Sequence, residues 1–358
     1  MKKILISTGG SGGHVYPGIA LYEHMEKFQN VLLVTDIRGS KYIDDNLIKY
    51  NVIDVPNIFS NLFKLPLNIL LFFFSILKSL KYLKKENIDI LLSTGGYMSL
   101  PLCIAAKILN KDIILFEPNL VIGRTNKLIL RFSRKIICYH KDITGIPKNS
   151  YDKIFLTKPI FRKEMYNINK SLDQTSKQIF KIIILGGSQG AKFFDTKIKD
   201  IILNLSKVHK ISVSQQVHDS NVINNLENFY NQNNIQCEIF RFNKNLYKNL
   251  NSFDLAITRS GASAITELAF FKVPFIAVPF PHSKDNHQFL NAKYYADQDC
   301  CWLYEQSEFN TDKISNFISN LIKDKTDYFI KRQNLNKISY ENSWNNINEK
   351  LINLLNEN

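Results

Sequence analysis

Short apolar runs at 3–8, 31–35, 88–93 and 112–116 alternate with longer stretches of helical patterning. Runs of this length, bounded by turn residues, predict buried strands, and their alternation with helices predicts a parallel sheet covered on both faces. The same design restarts at Phe180, with further apolar runs at 181–185, 254–258 and 274–278. The opening strand and loop, Ile4-Leu5-Ile6-Ser7-Thr8-Gly9-Gly10-Ser11-Gly12-Gly13, find a loose echo in Ile182-Ile183-Ile184-Leu185-Gly186-Gly187-Ser188-Gln189-Gly190. Two similar α/β domains are the economical organisation. The polar stretch 167–178 has no core character, and the second domain is expected to begin near it or just before. The boundaries drawn are 1–160 and 161–336, followed by a terminal helix over 337–358. In that helix Trp344, Ile347, Leu351 and Leu354 recur at helical spacing and predict a packed face.

One segment breaks the pattern. Between 62 and 83 the chain crowds Leu67, Ile69, Leu70, Leu71, Phe72, Phe73, Phe74, Ile76 and Leu77 together. Lys64 precedes them, and Lys78, Lys81, Lys84 and Lys85 follow. The uncharged run 65–77 falls short of the ~20 residues that span a bilayer. Asn68, Ser75, Lys78, Lys81 and Lys85 fall roughly on one helical stripe. What remains is a wide apolar face with a basic end, the profile of a helix lying in a membrane interface. Leu70, Phe73, Phe74, Leu77, Lys78 and Lys81 are the expected contacts with an anionic membrane surface. A buried helix of the first domain is the competing reading.

Composition narrows the class. At 358 residues and 45% hydrophobic content the chain has material for two cores. Its formal charge, 46 − 32 = +14, suits either an anionic partner or a solvated lysine surface. Cys103, Cys138, Cys237, Cys300 and Cys301 are odd in number and form no C-x-x-C pair. That argues against a disulfide framework or a zinc site and suits a reducing cytoplasm. The apolar start is cut by Gly9-Gly10, so no secretory signal is expected. Asp297 and Asp299 do not make a convincing metal pair, and no metal or cofactor is expected, although a stimulating divalent cation stays open.

The candidate chemistry lies in glycine-rich loops between strands and helices. Gly9-Gly10-Ser11-Gly12-Gly13-His14 follows a strand and opens a helix with Pro17 in its first turns. Glycines let backbone amides approach a ligand, and a helix N-terminus offers unpaired N–H groups to an anion. The spacing is not that of a dinucleotide fingerprint, which would require glycine at Val15. Asp36, at the end of the second strand, nevertheless stands where such a fold places its ribose-binding acid. Gly186 to Ala191 repeats the phosphate-loop logic, with the Ser188 hydroxyl in it. Thr258-Arg259-Ser260-Gly261-Ala262-Ser263 opens a third helix, and Glu267 one turn further suits two ribose hydroxyls. The polar loop Pro281 to Gln288 offers Asn286 and Gln288 to a sugar.

Together these loops resemble the MurG-type N-acetylglucosaminyltransferases of glycosyltransferase family 28. Gly9 through Pro17, Gly95-Gly96-Tyr97, Glu117-Pro118-Asn119, Gly186 through Ala191, Arg259-Ser260-Gly261-Ala262 through Glu267, and Asp285-Asn286-His287-Gln288 occur in the family's order over nearly the whole chain. The resemblance implies a GT-B fold: two Rossmann-like domains with parallel sheets facing across a cleft, the terminal helix packing back on the first. It implies inverting transfer of N-acetylglucosamine from UDP-N-acetylglucosamine to lipid I, giving lipid II for peptidoglycan and cell-wall synthesis. The enzyme would sit peripherally on the cytoplasmic face of the inner membrane, with no nucleic-acid partner. Donor contacts carried over by position are Ser11, Gly12, Gly13, Asn119, Arg162, Ser188, the main chain near Asn243, Ala262, Ser263, Glu267 on the ribose, and Gln288. His14 and Tyr97 would face the acceptor. Arg162 stands one position late against the family's Asn-Pro-Val-Arg motif, and Phe116 and Pro118 replace a His and a Gln around Glu117.

A histidine has a reference pKa of about 6.5, which suits general-base work at neutral pH. His14 is therefore the first candidate base and Glu117 the second. Two other classes compete: a UDP-sugar epimerase or nicotinamide enzyme on related domains, and a membrane-peripheral binding protein without catalysis.

Overall fold

The computed structural model describes residues 2–44, 46–56, 65–168, 178–187, 190–339 and 341–357. The chain divides into two compact units: Met1–Asn167 with Asn342–Asn358, and Ile168–Glu341.

Unit 1 holds seven strands: β1 (Lys3–Ser7), β2 (Asn30–Thr35), β3 (Tyr50–Val52), β4 (Ile90–Ser93), β5 (Asp112–Glu117), β6 (Lys135–Cys138) and β7 (Ile154–Leu156). Its helices are α1 (Gly12–Met25), α2 (Ile37–Ser40), α3 (Leu65–Lys85), α4 (Leu100–Ile108), α5 (Arg124–Ile129) and α6 (Lys163–Tyr166). All strand pairs are parallel, in the order β3-β2-β1-β4-β5-β6-β7. Alternate residues feed opposite cores, as strand geometry requires. Ile4, Ile6, Ile90 and Leu92 join Val15 and Ile19 of α1. Leu5 and Leu91 join Leu83 of α3 and Leu102 and Ala106 of α4.

Unit 2 repeats the plan with β8 (Phe180–Leu185), β9 (Ile211–Gln216), β10 (Gln236–Phe240), β11 (Leu255–Thr258), β12 (Phe275–Ala277) and β13 (Cys301–Leu303). Their parallel order is β10-β9-β8-β11-β12-β13. Its helices are α7 (Lys192–Ser206), α8 (Ile223–Gln232), α9 (Ala262–Phe270), α10 (His287–Asp297), α11 (Thr311–Lys323) and α12 (Thr326–Ser339). Phe194 and Ile198 of α7 and Ile314 and Ile318 of α11 cover Ile182 and Ile184 of β8.

Each sheet reverses its strand order beside its first strand, between β1 and β4 and between β8 and β11. Loops leaving the carboxyl ends there diverge and open a crevice, the usual ligand site of such sheets. The glycine loops occupy these positions: 9–13 after β1, 95–96 after β4, 186–187 after β8 and 259–261 after β11.

The last helix, α13 (Trp344–Asn356), belongs to unit 1. Ile347, Leu351, Leu354 and Leu355 are buried in the α1-side core. Trp344 stacks on His24 of α1 with ring centroids 3.7 Å apart. Nε2 of His24 donates to the Phe161 carbonyl at 3.2 Å, so in the neutral ring Nδ1 is the acceptor in its 2.6 Å contact with the Asn348 side-chain amide. Burial lowers the His24 pKa to about 4, so the ring is neutral at physiological pH. The unit boundary therefore lies beyond 160: the Lys163 N–H donates to Glu23 at 2.7 Å and Asn342 donates to the Pro159 carbonyl at 2.9 Å. Residues 337–339 continue α12 rather than begin the terminal helix.

The segment 65–85 forms one 21-residue helix, and an 18-residue window within it has the length and composition of a membrane span. Leu62, Phe63 and Lys64 lie outside the described residues. The expected polar stripe requires correction. Asn68 and Ser75 are buried, with Ser79 and Leu83, on the face that packs toward α4, while Lys78, Lys81 and Lys85 are exposed. The inward hydroxyls satisfy themselves on the helix backbone: Ser75 donates to the Leu71 carbonyl at 2.9 Å and Ser79 to the Ser75 carbonyl at 2.7 Å. Small, self-bonded side chains let the helix lie close to the domain. Ile76 and Leu83 are buried, but four large apolar residues point outward: Leu70 is 53% exposed, Phe73 63%, Phe74 50% and Leu77 53%.

Candidate functional site

In unit 1 the loop after β1 is fixed by Asp36. Its carboxylate is 1% exposed. Oδ1 accepts from the N–H groups of Gly10 and Gly39, both at 2.8 Å, and Oδ2 accepts from Arg38 Nε at 2.9 Å. A Cβ on Gly9 would lie 2.7 Å from Asp36 Oδ1, so only glycine fits there. Both oxygens of Asp36 are thus committed to its own loop. The expectation of a ribose-binding acid at this position is corrected.

Ser11 is the N-cap of α1, yet no side-chain bond caps the helix. Gly12 and Gly13 are its first residues, so their amides stand at the positive end of a 14-residue helix. His14, half-buried in the same turn, places Nδ1 2.9 Å from the Thr94 carbonyl oxygen. A carbonyl only accepts, so Nδ1 carries the hydrogen and Nε2 of the neutral ring keeps its lone pair. Gly96 lies beside that nitrogen; a Cβ there would sit 3.5 Å from Nε2. Tyr97 begins the following turn, its ring 5.9 Å from that of Phe72 on α3.

Glu117 ends β5 and is 3% exposed. Its Oε1 accepts from the Asn119 N–H at 3.2 Å and Asn119 Nδ2 at 2.9 Å. Its Oε2 accepts from the Gly123 N–H at 2.7 Å and Asn126 Nδ2 at 3.0 Å. This is the bonding of an anchor for the 119–126 loop, which leaves little lone-pair capacity for a substrate proton. Arg162, expected to touch the donor, caps α6 with its backbone, and its guanidinium lies 5.1 Å over the Tyr16 ring of α1.

In unit 2, Ser188 lies outside the described residues. The loop around it is held by Gln216 at the end of β9. Gln216 Oε1 accepts from the Gly186 N–H at 3.1 Å, and Nε2 donates to the carbonyls of Gly187 at 2.8 Å and Arg241 at 3.2 Å. One side chain therefore ties the glycine loop to the loop carrying Asn243. There the Asn243 side chain accepts from the Asn245 N–H at 2.9 Å and its carbonyl from the Leu246 N–H at 3.3 Å. Gly190 has φ +73°, and a Cβ there would lie 2.5 Å from His218 Cα.

Ala262 and Ser263 are the first residues of α9, which no side chain caps. Ser260 Oγ, fully buried beside them, has no partner among the described residues. Glu267 stands half-buried in the same helix. Gln288 Oε1 accepts from the Ser260 N–H at 3.2 Å and the Phe280 N–H at 3.0 Å, which clamps the loops after β11 and β12 together. Arg259 braces the same pair of loops. It donates to the Val278 and Pro279 carbonyls, both at 3.0 Å, and to Gln306 at 2.6 Å. The rings of Phe193, Phe194 and Phe280 surround it at 5.4, 5.0 and 5.6 Å, and burial lowers its pKa to about 10, so it stays charged at neutral pH. Sequence reasoning missed Gln216 and Arg259 as organisers. A glutamine ending a strand and an arginine in a glycine loop carry no spacing signal for this task. Among the described residues no group of three or more His, Cys, Asp or Glu side chains is arranged to hold a metal ion.

Comparison with known proteins matches this division. Residues 4–138 match the model of the glycosyltransferase family 28 N-terminal domain, and residues 181–345 that of the family 28 C-terminal domain. A UDP-N-acetylglucosamine–N-acetylmuramyl-(pentapeptide) pyrophosphoryl-undecaprenol N-acetylglucosamine transferase of Pelagibacter ubique is 43% identical over 360 residues, covering 100% of this chain and 99% of the relative. The Rickettsia felis protein of the same name is 32% identical, covering 93% and 96%. Among solved structures, Acinetobacter baumannii MurG superposes with a TM-score of 0.74 at 22% identity over 99% of both chains. A UDP-N-acetylglucosamine 2-epimerase reaches 0.66 at 12% identity, covering 99% of this chain and 96% of the other, which reflects the shared fold alone. With sheets of this topology, glycine loops at both strand-order reversals and family matches in both units, the chain is a GT-B-type member of glycosyltransferase family 28, in its MurG-type branch.

Proposed function

We propose that this enzyme transfers N-acetylglucosamine from UDP-N-acetylglucosamine to the carbon-4 hydroxyl of the muramyl sugar in lipid I, inverting the anomeric centre and forming lipid II. The observation that carries the mechanism is the His14 imidazole, whose Nδ1–H is held by the Thr94 carbonyl while Nε2 is left basic. Nε2 takes the proton of the acceptor hydroxyl as its oxygen bonds to the anomeric carbon and the bond to UDP breaks. Glu117 is a positioning residue, since four donors already occupy its oxygens. The nucleotide is assigned to unit 2. The uncapped end of α9, with Ala262, Ser263 and the buried Ser260 hydroxyl, faces the diphosphate, Glu267 takes the ribose hydroxyls, and Gln288 offers its amide nitrogen to the sugar. Aligned amides stabilise the charge that grows on the leaving diphosphate. The Ser11, Gly12 and Gly13 end of α1, with Asn119 and Tyr97, is assigned to the region where the transferred sugar meets the acceptor.

The membrane surface is assigned to the outward face of α3. Leu70, Phe73, Phe74 and Leu77 enter the interface and Lys78 and Lys81 meet anionic headgroups, and the enzyme is assigned a peripheral position at the cytoplasmic face of the inner membrane, where a lipid-linked acceptor lies. This reading rests on the outward face of α3, where Leu70, Phe73, Phe74 and Leu77 are exposed.

The test is UDP release from UDP-N-acetylglucosamine with and without a lipid I analogue. Release that requires the analogue, and that His14→Ala abolishes while UDP binding persists, is expected. Release without acceptor, or near-normal turnover of His14→Ala, would contradict the assignment.

A further inference from the structure

Two buried threonines close a ring of hydrogen bonds around His14. Its Nδ1–H donates to the Thr94 carbonyl at 2.9 Å. The Thr94 hydroxyl donates to Thr8 Oγ1 at 2.9 Å, with the Ser7 carbonyl a longer second acceptor at 3.3 Å. The Thr8 hydroxyl in turn donates to the His14 carbonyl at 2.7 Å. Thr8 ends the β1 segment, with its N–H on the Val34 carbonyl at 3.0 Å, and Thr94 ends the β4 segment, with its N–H on the Ser7 carbonyl at 3.0 Å. Thr8 is 0% exposed and Thr94 1% exposed, so neither hydroxyl has water as a substitute partner. Gly18, one turn beyond His14 on α1, is packed so tightly on Thr8 that a Cβ there would lie 2.7 Å from Thr8 Cβ.

The direction of the ring is determined. The His14 and Thr94 carbonyls can only accept, which makes Nδ1 and the Thr8 hydroxyl donors. Thr8 has one hydrogen, and it is spent on His14, so Thr8 Oγ1 is the acceptor in its contact with Thr94. The first turn of α1 is thereby tied to the ends of β1 and β4 at the point where the strand order reverses. The Thr94 carbonyl that selects the tautomer is held in place by its own side chain.

We propose that Thr8 and Thr94 are positioning residues for catalysis: their hydroxyl bridge locks His14 in the Nδ1–H tautomer and aims Nε2 at the acceptor. Valine at either position would keep the shape and remove the hydrogen bond. The consequence for turnover rests on the reading of His14 as the base; the tautomer itself does not.

The experiment is long-range ¹H–¹⁵N NMR of the full-length protein labelled at histidine nitrogens, at a pH where the ring is neutral, with the His14 signals identified by their loss in His14→Gln. The wild-type enzyme should show a protonated Nδ1 and an unprotonated Nε2. In Thr8→Val/Thr94→Val the His14 signals should move toward a tautomer mixture. The same variant, which removes both hydroxyl hydrogen bonds, should lose at least about tenfold in kcat, the scale of one of them, with the KM for UDP-N-acetylglucosamine changed less than about twofold. Thr8→Ser/Thr94→Ser keeps both hydroxyls and should restore tautomer and kcat. A wild-type His14 protonated on Nε2, an outcome that needs no variant to fold, or a valine variant with unchanged tautomer, would overturn the proposal. The expected spectrum combined with normal turnover of His14→Ala would remove the base assignment while leaving the bridge intact.

Discussion

Replacing Phe73 and Phe74 together with serine should detach the enzyme from membranes without damaging it. The two rings are 63% and 50% exposed, so the fold gains little from them. Complete burial of such a side chain is worth roughly 1.5–3 kcal/mol, and the exposed half of each ring leaves about 1 kcal/mol or slightly more to be gained from lipid. The pair therefore contributes about 2–3 kcal/mol to membrane partitioning, or roughly 30- to 150-fold in the partition coefficient. Lys78 and Lys81 act separately, through headgroup charge, at about 1 kcal/mol each. The assay is co-sedimentation with vesicles containing anionic phospholipid, alongside turnover on a water-soluble acceptor analogue. Partitioning should fall by the stated factor while turnover on the soluble analogue and the thermal midpoint stay near wild type. Unchanged partitioning would refute the assignment of this face to lipid. Loss of partitioning accompanied by unfolding would refute the reasoning that these rings lie outside the core.

Two further outcomes follow from the geometry. Glu267→Gln removes the charge from the proposed ribose hydrogen bonds, worth roughly 1.5–3 kcal/mol, so UDP affinity measured by titration calorimetry should fall ~10- to 100-fold. His24 has a folded-state pKa of about 4 against an unfolded value near 6.5, so the stability it contributes is present at neutral pH and is lost as pH falls through that window. Between pH 7 and pH 5 the wild-type protein should lose about 2 kcal/mol more than His24→Gln in urea titrations, and parallel pH profiles of the two would contradict the neutral, buried ring.

The sites were legible where backbone chemistry leaves a mark on composition. Gly9 through Gly13 and Gly186 through Gly190 are glycine-rich because amides crowd a carboxylate or a neighbouring backbone there, and they locate the strand-order reversals before any topology is known. The packed face of the terminal helix was equally readable, since Ile347, Leu351 and Leu354 keep helical period. The strands β9 and β10 were not. Gln215 and Gln216 dilute the apolar run of β9, and β10 lies at the sheet edge with Gln236 and Glu238 interrupting its apolar residues. Hydropathy also grouped Asn68 and Ser75 of α3 with the exposed lysines, because a periodic pattern does not say which polar residues meet the protein. Small hydroxyl residues that bond their own helix can be the inward face. The organising side chains Asp36, Gln216 and Arg259 were hidden for another reason. Each acts on backbone groups distant in sequence, and no local spacing encodes such a partner.

The most direct measurement is the fate of the label when the purified enzyme is given UDP-N-acetylglucosamine radiolabelled in the sugar together with lipid I in anionic vesicles. The predicted result is label moving into the lipid fraction as lipid II, β-linked to carbon 4 of the muramyl sugar, with one UDP released per sugar transferred. Label that stays in the aqueous phase as free sugar or as an epimerised nucleotide sugar would contradict it.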